Sequence, residues 1–142
     1  MTIDLERARQ SLNDWQPQMI SIFRIVLGLL FLQSGLQKWF GFPIPLPNNQ
    51  TVQLVSMLGA AGIIEITTGT LVAVGLFTRY AALLASGEMA VAYLFYANRL
   101  SRAFTPIANG GNMEVLYCFS FLLLVFIGAG VWSLDARLRG KT

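Results

Sequence analysis

The sequence predicts an all-α membrane protein: a bundle of four transmembrane helices with a short interfacial helix at its N-terminus. Three observations predict it. Of the 142 residues, 55% are hydrophobic and 12% charged, whereas an ordinary soluble domain carries about 25% charged residues. The apolar residues gather into four runs of spanning length, since about 20 helical residues cross a hydrocarbon core about 30 Å thick. Between the runs stand turn and breaker residues: three of the five prolines in 40–51, the pair Thr78-Arg79, and Pro106 with Gly110-Gly111.

In chain order, residues 1–17 form the first unit, too polar to span. Leu5, Ala8, Leu12 and Trp15 recur at steps of three and four, an apolar stripe on a helix. Asp4 and Glu6 precede Arg7 and Arg9, as the helix dipole favours. The expected structure is a helix on the membrane surface with Trp15 at headgroup level; the alternative is a disordered tail. Residues 18–135 form the transmembrane domain, with spans over 19–39, 52–77, 80–97 and 112–132. The first opens after Pro17, a residue suited to an opening turn. Residues 40–51 and 98–111 are loops at the far end, and 136–142 is a basic tail. Four spans put both termini and the Thr78-Arg79 turn on one side. That side holds Arg7, Arg9, Arg79, Arg137, Arg139 and Lys141, against Lys38, Arg99 and Arg102 opposite. The bias predicts cytoplasmic termini. The net charge of +3 forms no patch and implies no nucleic-acid partner.

Each span combines small residues with an ionisable group on one face. The first offers Arg24, Gly28, Phe31, Gly35 and Lys38; the second Gly59, Gly62, Glu65, Thr68 and Gly69; the third Ala81, Ala85, Glu88 and Ala92; the fourth Glu114, Tyr117, Phe121 and Gly128. Such faces belong inside a bundle, where helices associate through close packing and a few polar contacts. A carboxylate at membrane depth costs on the order of 3 kcal/mol, so Glu65 and Glu88 each need a partner or a task. Arg24 is expected to turn toward Glu88, the alternative being to snorkel to the surface. Lys38 and Gln37 are placed to meet Glu114 and Glu65. If Glu88 pairs with Arg24, Glu65 is left over and becomes the better candidate for chemistry.

Familiar catalytic constellations are missing. There is no histidine, which removes His-based triads, bis-histidine haem and Cys/His metal sites. Cys118 is the single cysteine, inside an apolar run, and reads as an inert small hydrophobe. No glycine-rich phosphate loop follows a strand. What remains is a polar lining of Arg24, Gln37, Lys38, Glu65, Glu88 and Glu114. Aromatic residues stand beside it, Phe31 in the first span and Tyr93 and Tyr96 at the far end of the third. Bundle register, an interfacial aromatic belt, a proton route and a flat-ring pocket all suit these residue types.

Three segments then become informative: RIVLGLLFLQSGLQKWFGF (24–42), the run from Glu65 through GLFTRYAALL (65–84), and NGGNMEVLY with GAGVWSLDARL (109–117 and 128–138). In this order and spacing the chain resembles the DoxX family of small four-helix membrane proteins. Similar proteins commonly carry glutamate directly after the paired glycines. Here Asn112 stands there, with Glu114 two residues on. The resemblance implies a multi-pass protein of a bacterial plasma (inner) membrane with a link to redox physiology: members include the membrane subunit of a thiosulfate:quinone oxidoreductase and partners of redox and sulfur-transfer proteins.

The leading expectation is therefore a membrane anchor or accessory subunit of a redox complex, with an internal site for a quinone or similar lipid-soluble ring. No covalently bound cofactor is expected, and electrons would come from a partner. Other subunits or a second copy of the chain are the expected protein partners, in a lipid bilayer. The alternatives are a small proton- or cation-coupled transporter using Glu65 and Glu88, and a purely structural membrane subunit.

Overall fold

The computed structural model describes residues 2–46, 52, 56–97 and 105–140. All regular structure among them is helical: α1 (Thr2–Phe40), α2 (Met57–Val74), α3 (Thr78–Val91) with a π-helical continuation (Ala92–Ala97), α4 (Pro106–Asn109), α5 (Asn112–Ile127) and α6 (Leu134–Arg139). By length and composition, α1 and α2 can cross a membrane, and α5 is a shorter apolar helix.

The small-residue faces are the buried ones. Arg24, Gly28, Phe31 and Gly35 on α1 are buried, as are Gly59, Gly62, Glu65, Thr68 and Gly69 on α2. These two faces meet. A Cβ added to Gly28 would lie 2.5 Å from the Ala73 amide nitrogen, and one on Gly69 2.6 Å from that of Leu32. Backbones this close leave room only for hydrogen, so the glycines set the separation of the two helices. Further along, the Trp39 indole donates to the Gly59 carbonyl at 3.1 Å. On the other side α3 packs against α5, and Ser86 donates to the Cys118 carbonyl at 2.9 Å. Phe31, Tyr117 and Phe121 close the core as one ring cluster, with Phe31 and Phe121 edge to face at 4.7 Å.

Several boundaries differ from the sequence expectation. Pro17 lies inside α1 rather than at a helix start; the Ser21 hydroxyl donates to its carbonyl at 3.0 Å. Residues 2–16 thus continue the helix of the span. The hairpin turn lies at Gly75–Phe77, and Thr78-Arg79 opens α3. Gly75 ends α2 with φ 76°, its amide bonding back to Leu71 and Val72, the left-handed exit that glycine adopts without Cβ strain. α5 stops at Ile127, short of 132, because Gly128 takes φ 85° and Gly130 φ 73°. The helix α6 runs from the end of the expected transmembrane domain into the basic tail, capped by Ser133, whose hydroxyl accepts from the Ala136 amide at 3.1 Å. Residues 47–51 and 98–104 of the expected far-end loops, and 53–55 of the expected second span, lie outside the described residues.

Candidate functional site

Two polar regions occupy the bundle, and the helices place them at different levels. The first gathers around Arg24, a side chain with no exposed surface. Its Nε donates to the Ala129 carbonyl at 2.8 Å and its Nη2 to that of Trp132 at 2.6 Å. Its Nη1 reaches the carbonyls of Val72 at 2.5 Å and Ala73 at 2.6 Å. Helix ends leave carbonyls without intrahelical partners, and those of Val72 and Ala73 are in the last turn of α2. The rigid guanidinium fork satisfies them together with two carbonyls of the irregular segment after α5, and its charge suits the negative end of the helix dipole.

This corrects the expected Arg24–Glu88 pair. The expectation took Thr78-Arg79 as the turn, but α2 ends earlier and exposes its carbonyls at the level of Arg24. Four acceptors already surround the guanidinium there. Val72 stands seven residues beyond Glu65, about 10 Å along the axis, which separates Arg24 from the acidic residues. Arg24 is thus bonded to the backbone at the helix ends, at a different level from Glu65.

The same end is joined by Asp135, a residue the sequence reading passed over. Its carboxylate accepts from the amides of Phe77 and Thr78, each at 2.9 Å, at the opening of α3. Its own amide donates to the Gly75 carbonyl at 2.8 Å. Partial burial pushes this carboxyl up, but the two amide donors, helped by Arg139, outweigh it and hold it below its ordinary value. The readable signal was Ser133 followed two residues later by an acid, a helix-start pattern. Beside it a cavity of about 180 Å³ is lined by Arg79, Gly128, Gly130, Asp135 and Arg139 among others.

The second region holds the acids of the spans. Lys38 forms an ion pair and hydrogen bond with Glu65, joining α1 to α2, and Glu65 is almost fully buried. The Lys38–Glu65 meeting was among those expected. Glu88, on α3, lies within electrostatic reach of both. Both of its carboxylate oxygens are buried and no hydrogen-bond partner reaches them among the described residues. The left-over carboxylate is thus Glu88, the reverse of the expected division. Glu114, in the first turn of α5, has one buried oxygen, Oε2, in the same condition.

The other expected lining residues are dispersed. Phe31 is 1% exposed and engaged with Tyr117 and Phe121. Tyr117 also lies within electrostatic range of Glu65. Gln37 is half-buried on α1, and Tyr93 packs its ring over Gly111. The Tyr96 side chain lies outside the described residues.

Helices that bury an ion pair and carboxylates among glycine faces, two of them long and apolar enough to cross a membrane, fit the class of helical membrane proteins. Comparison with known proteins agrees. The DoxX family model matches residues 19–98, and the chain belongs to that family. A Haemophilus influenzae protein is 40% identical over 92% of this chain and 98% of its own length. A Mycobacterium tuberculosis membrane protein is 29% identical, covering 88% of this chain and 84% of its own. An inner membrane protein of Escherichia coli is 31% identical over 86% of this chain and 91% of its own. No solved structure matches. The chain is an integral membrane protein.

Proposed function

We propose that this protein is a four-span accessory subunit of a membrane redox complex, with an internal polar site at Glu88 for the head of a lipid-soluble quinone-type ring. The observation that carries the reading is the pair of buried, unpartnered Glu88 oxygens. A carboxyl group held in hydrocarbon without a donor is costly, and intramembrane ionisable groups mark ligand or proton sites. A quinol hydroxyl is a donor of the kind Glu88 lacks. When bound, such a ring supplies reversible two-electron, two-proton chemistry. Glu88 would accept its hydrogen bond and hold or release the proton. Lys38, tied to Glu65, would steady the local charge and offer an N–H to a carbonyl oxygen. Tyr93, five residues beyond Glu88 and packed on Gly111, would flank the ring, because Phe31 is committed to the core. Electrons come from a partner subunit.

Four crossings are supported by helix lengths. The 18 residues of α2, the 14 of α3 with its six-residue π extension, and the 16 of α5 extend about 27, 30 and 24 Å. With α1 they bring both termini to the side richer in arginine, which favours a cytoplasmic position. The inner-membrane relative supports the plasma membrane as location.

The test is gentle purification with identification of co-purifying subunits and lipids. Quinone and a redox partner should accompany the wild type, and quinone should be depleted in Glu88→Gln. A preparation free of both would overturn the reading. Glu114 favours a second reading, a proton- or cation-coupled transporter, because its Oε2 adds another buried carboxylate oxygen without a partner among the described residues. That reading requires pH-dependent transport in proteoliposomes, lost in Glu88→Gln.

A further inference from the structure

The helix α1 has two faces, and the bundle uses one. Ser21, Arg24, Gly28, Phe31, Gly35 and Lys38, at steps of three and four, turn toward the chain's own helices. On the opposite side Leu5, Ala8, Leu12, Trp15, Met19, Ile22, Val26 and Leu29 follow one another at steps of three, four, three, four, three, four and three. All eight are exposed. We propose that this face is a coiled-coil seam through which α1 pairs, parallel and in register, with α1 of a second copy of this chain.

The period is the first argument. A helix lying on a surface needs apolar residues only at the 3.6 period of a straight helix, which drifts about 20° per heptad from a strict 3.5 repeat. Here the strict repeat persists over more than three heptads, the pattern that winds two helices together. The second argument is length. The 39 residues of α1 reach about 58 Å, nearly twice the hydrocarbon thickness. Lipid can cover Met19, Ile22, Val26 and Leu29. Leu5, Leu12 and Trp15, 65%, 73% and 60% exposed, continue the same helix beyond the span. An unbroken helix allows a kink at Pro17 but not the right-angle turn that would lay residues 2–16 on the bilayer. A partner must cover them.

Orientation and register supply the third argument. Every copy inserts into the membrane the same way, so two α1 helices meet parallel. With Leu5 and Leu12 at a positions and Ala8 and Trp15 at d, Asp4 falls at g and Arg9 at the following e. In a parallel in-register pair, g of one helix faces e of the next heptad on the other. Asp4 of each copy then stands opposite Arg9 of its companion, twice per dimer by symmetry. The next such pair, Ser11 and Gln16, is polar and uncharged. Pro17 falls at f, farthest from the seam.

Disulfide trapping in native membranes tests this. In a Cys118→Ser background, Leu12→Cys at an a position should give abundant oxidised dimer, and Gln10→Cys at an f position little. Asp4→Arg should lower the Leu12→Cys dimer several-fold, and Asp4→Arg with Arg9→Asp should restore it. The substitutions at positions 4, 9, 10 and 12 lie outside the packed bundle, and the near-isosteric Cys118→Ser is common to every sample; expression in the membrane fraction checks that insertion is intact. Equal trapping at positions 10 and 12, or no rescue by the double reversal, would overturn the proposal. So would a monomeric Leu12→Cys whose Trp15 fluorescence is quenched by brominated lipid, which would place the helix on the bilayer. A cross-link of larger mass than two copies would assign the seam to a different protein.

Discussion

The two polar regions of this bundle are built from the same kinds of side chain and come to opposite ends. Around Arg24 and Asp135, charge meets backbone: four carbonyls surround the guanidinium and two amides the carboxylate. Those backbone groups sit where helices stop, so the fold itself creates the need that the charges fill. Around Glu88 the helix is regular and its backbone already bonded. Among the described residues no hydrogen bond joins its carboxylate to the scaffold. A buried charge fastened to helix ends is a structural part, whereas one without a fastening is available for chemistry.

The comparison breaks most visibly at Arg24. Arg24→Ala strands the carbonyls of Ala73, Ala129 and Trp132 in a buried place and leaves that of Val72 with the Gly75 amide alone, and each unmade bond there costs about 1–3 kcal/mol. Solvent rescue at the edge reduces the sum, and a loss of about 3–5 kcal/mol is expected. In detergent the variant should unfold at markedly lower temperature or fail to accumulate. Arg24→Lys should fall between, because an ammonium cannot span four acceptors as a planar fork does. An Arg24→Ala protein melting like wild type would remove the distinction between the regions.

Asp135 tests the same region more gently. Its carboxylate caps the opening amides of α3, and caps of this kind contribute about 1 kcal/mol. Because its folded value lies below the ordinary one near 4, the stabilisation is complete above that value. It is lost as pH falls through the lower, folded one. The difference in melting temperature between wild type and Asp135→Ala should therefore hold steady from neutral pH to about 5 and shrink below about 4. A difference that persists unchanged in stronger acid would assign the effect to packing.

Much of this was legible in the sequence because it is periodic. Steps of three and four picked out the buried faces of α1 and α2, and the Lys38–Glu65 pair followed from their meeting. The hairpin was legible too, though its turn lies at Gly75 and not at Thr78-Arg79. Arg24's partners were not legible, since backbone carbonyls carry no residue identity and any helix end offers them. Pro17 misled because its restrictions are local, while the helix around it is held by a longer context that includes the Ser21 hydroxyl. Asp135 was hidden by distance: it caps a helix that begins 57 residues earlier. Glu88 could be recognised as costly from sequence alone, but its lack of a partner depended on where Arg24 went.

The smallest effect on stability, and the sharpest for the comparison, is expected at Glu88 itself. If its carboxylate serves no scaffold purpose, replacing it by an apolar side chain of similar size removes a desolvation cost and leaves no partner behind. Buried ionic groups replaced in this way are often neutral or stabilising, by about 1–4 kcal/mol where partners go too. For a lone group the expectation is a change between zero and about +1 kcal/mol. Glu88→Leu should thus melt at or slightly above the wild-type temperature. Loss of ligand or transport in the same variant would then be loss of chemistry in an intact fold. A Glu88→Leu protein destabilised as strongly as Arg24→Ala would instead make Glu88 a structural residue, joined to the scaffold through a partner that it gains only in the assembled membrane complex.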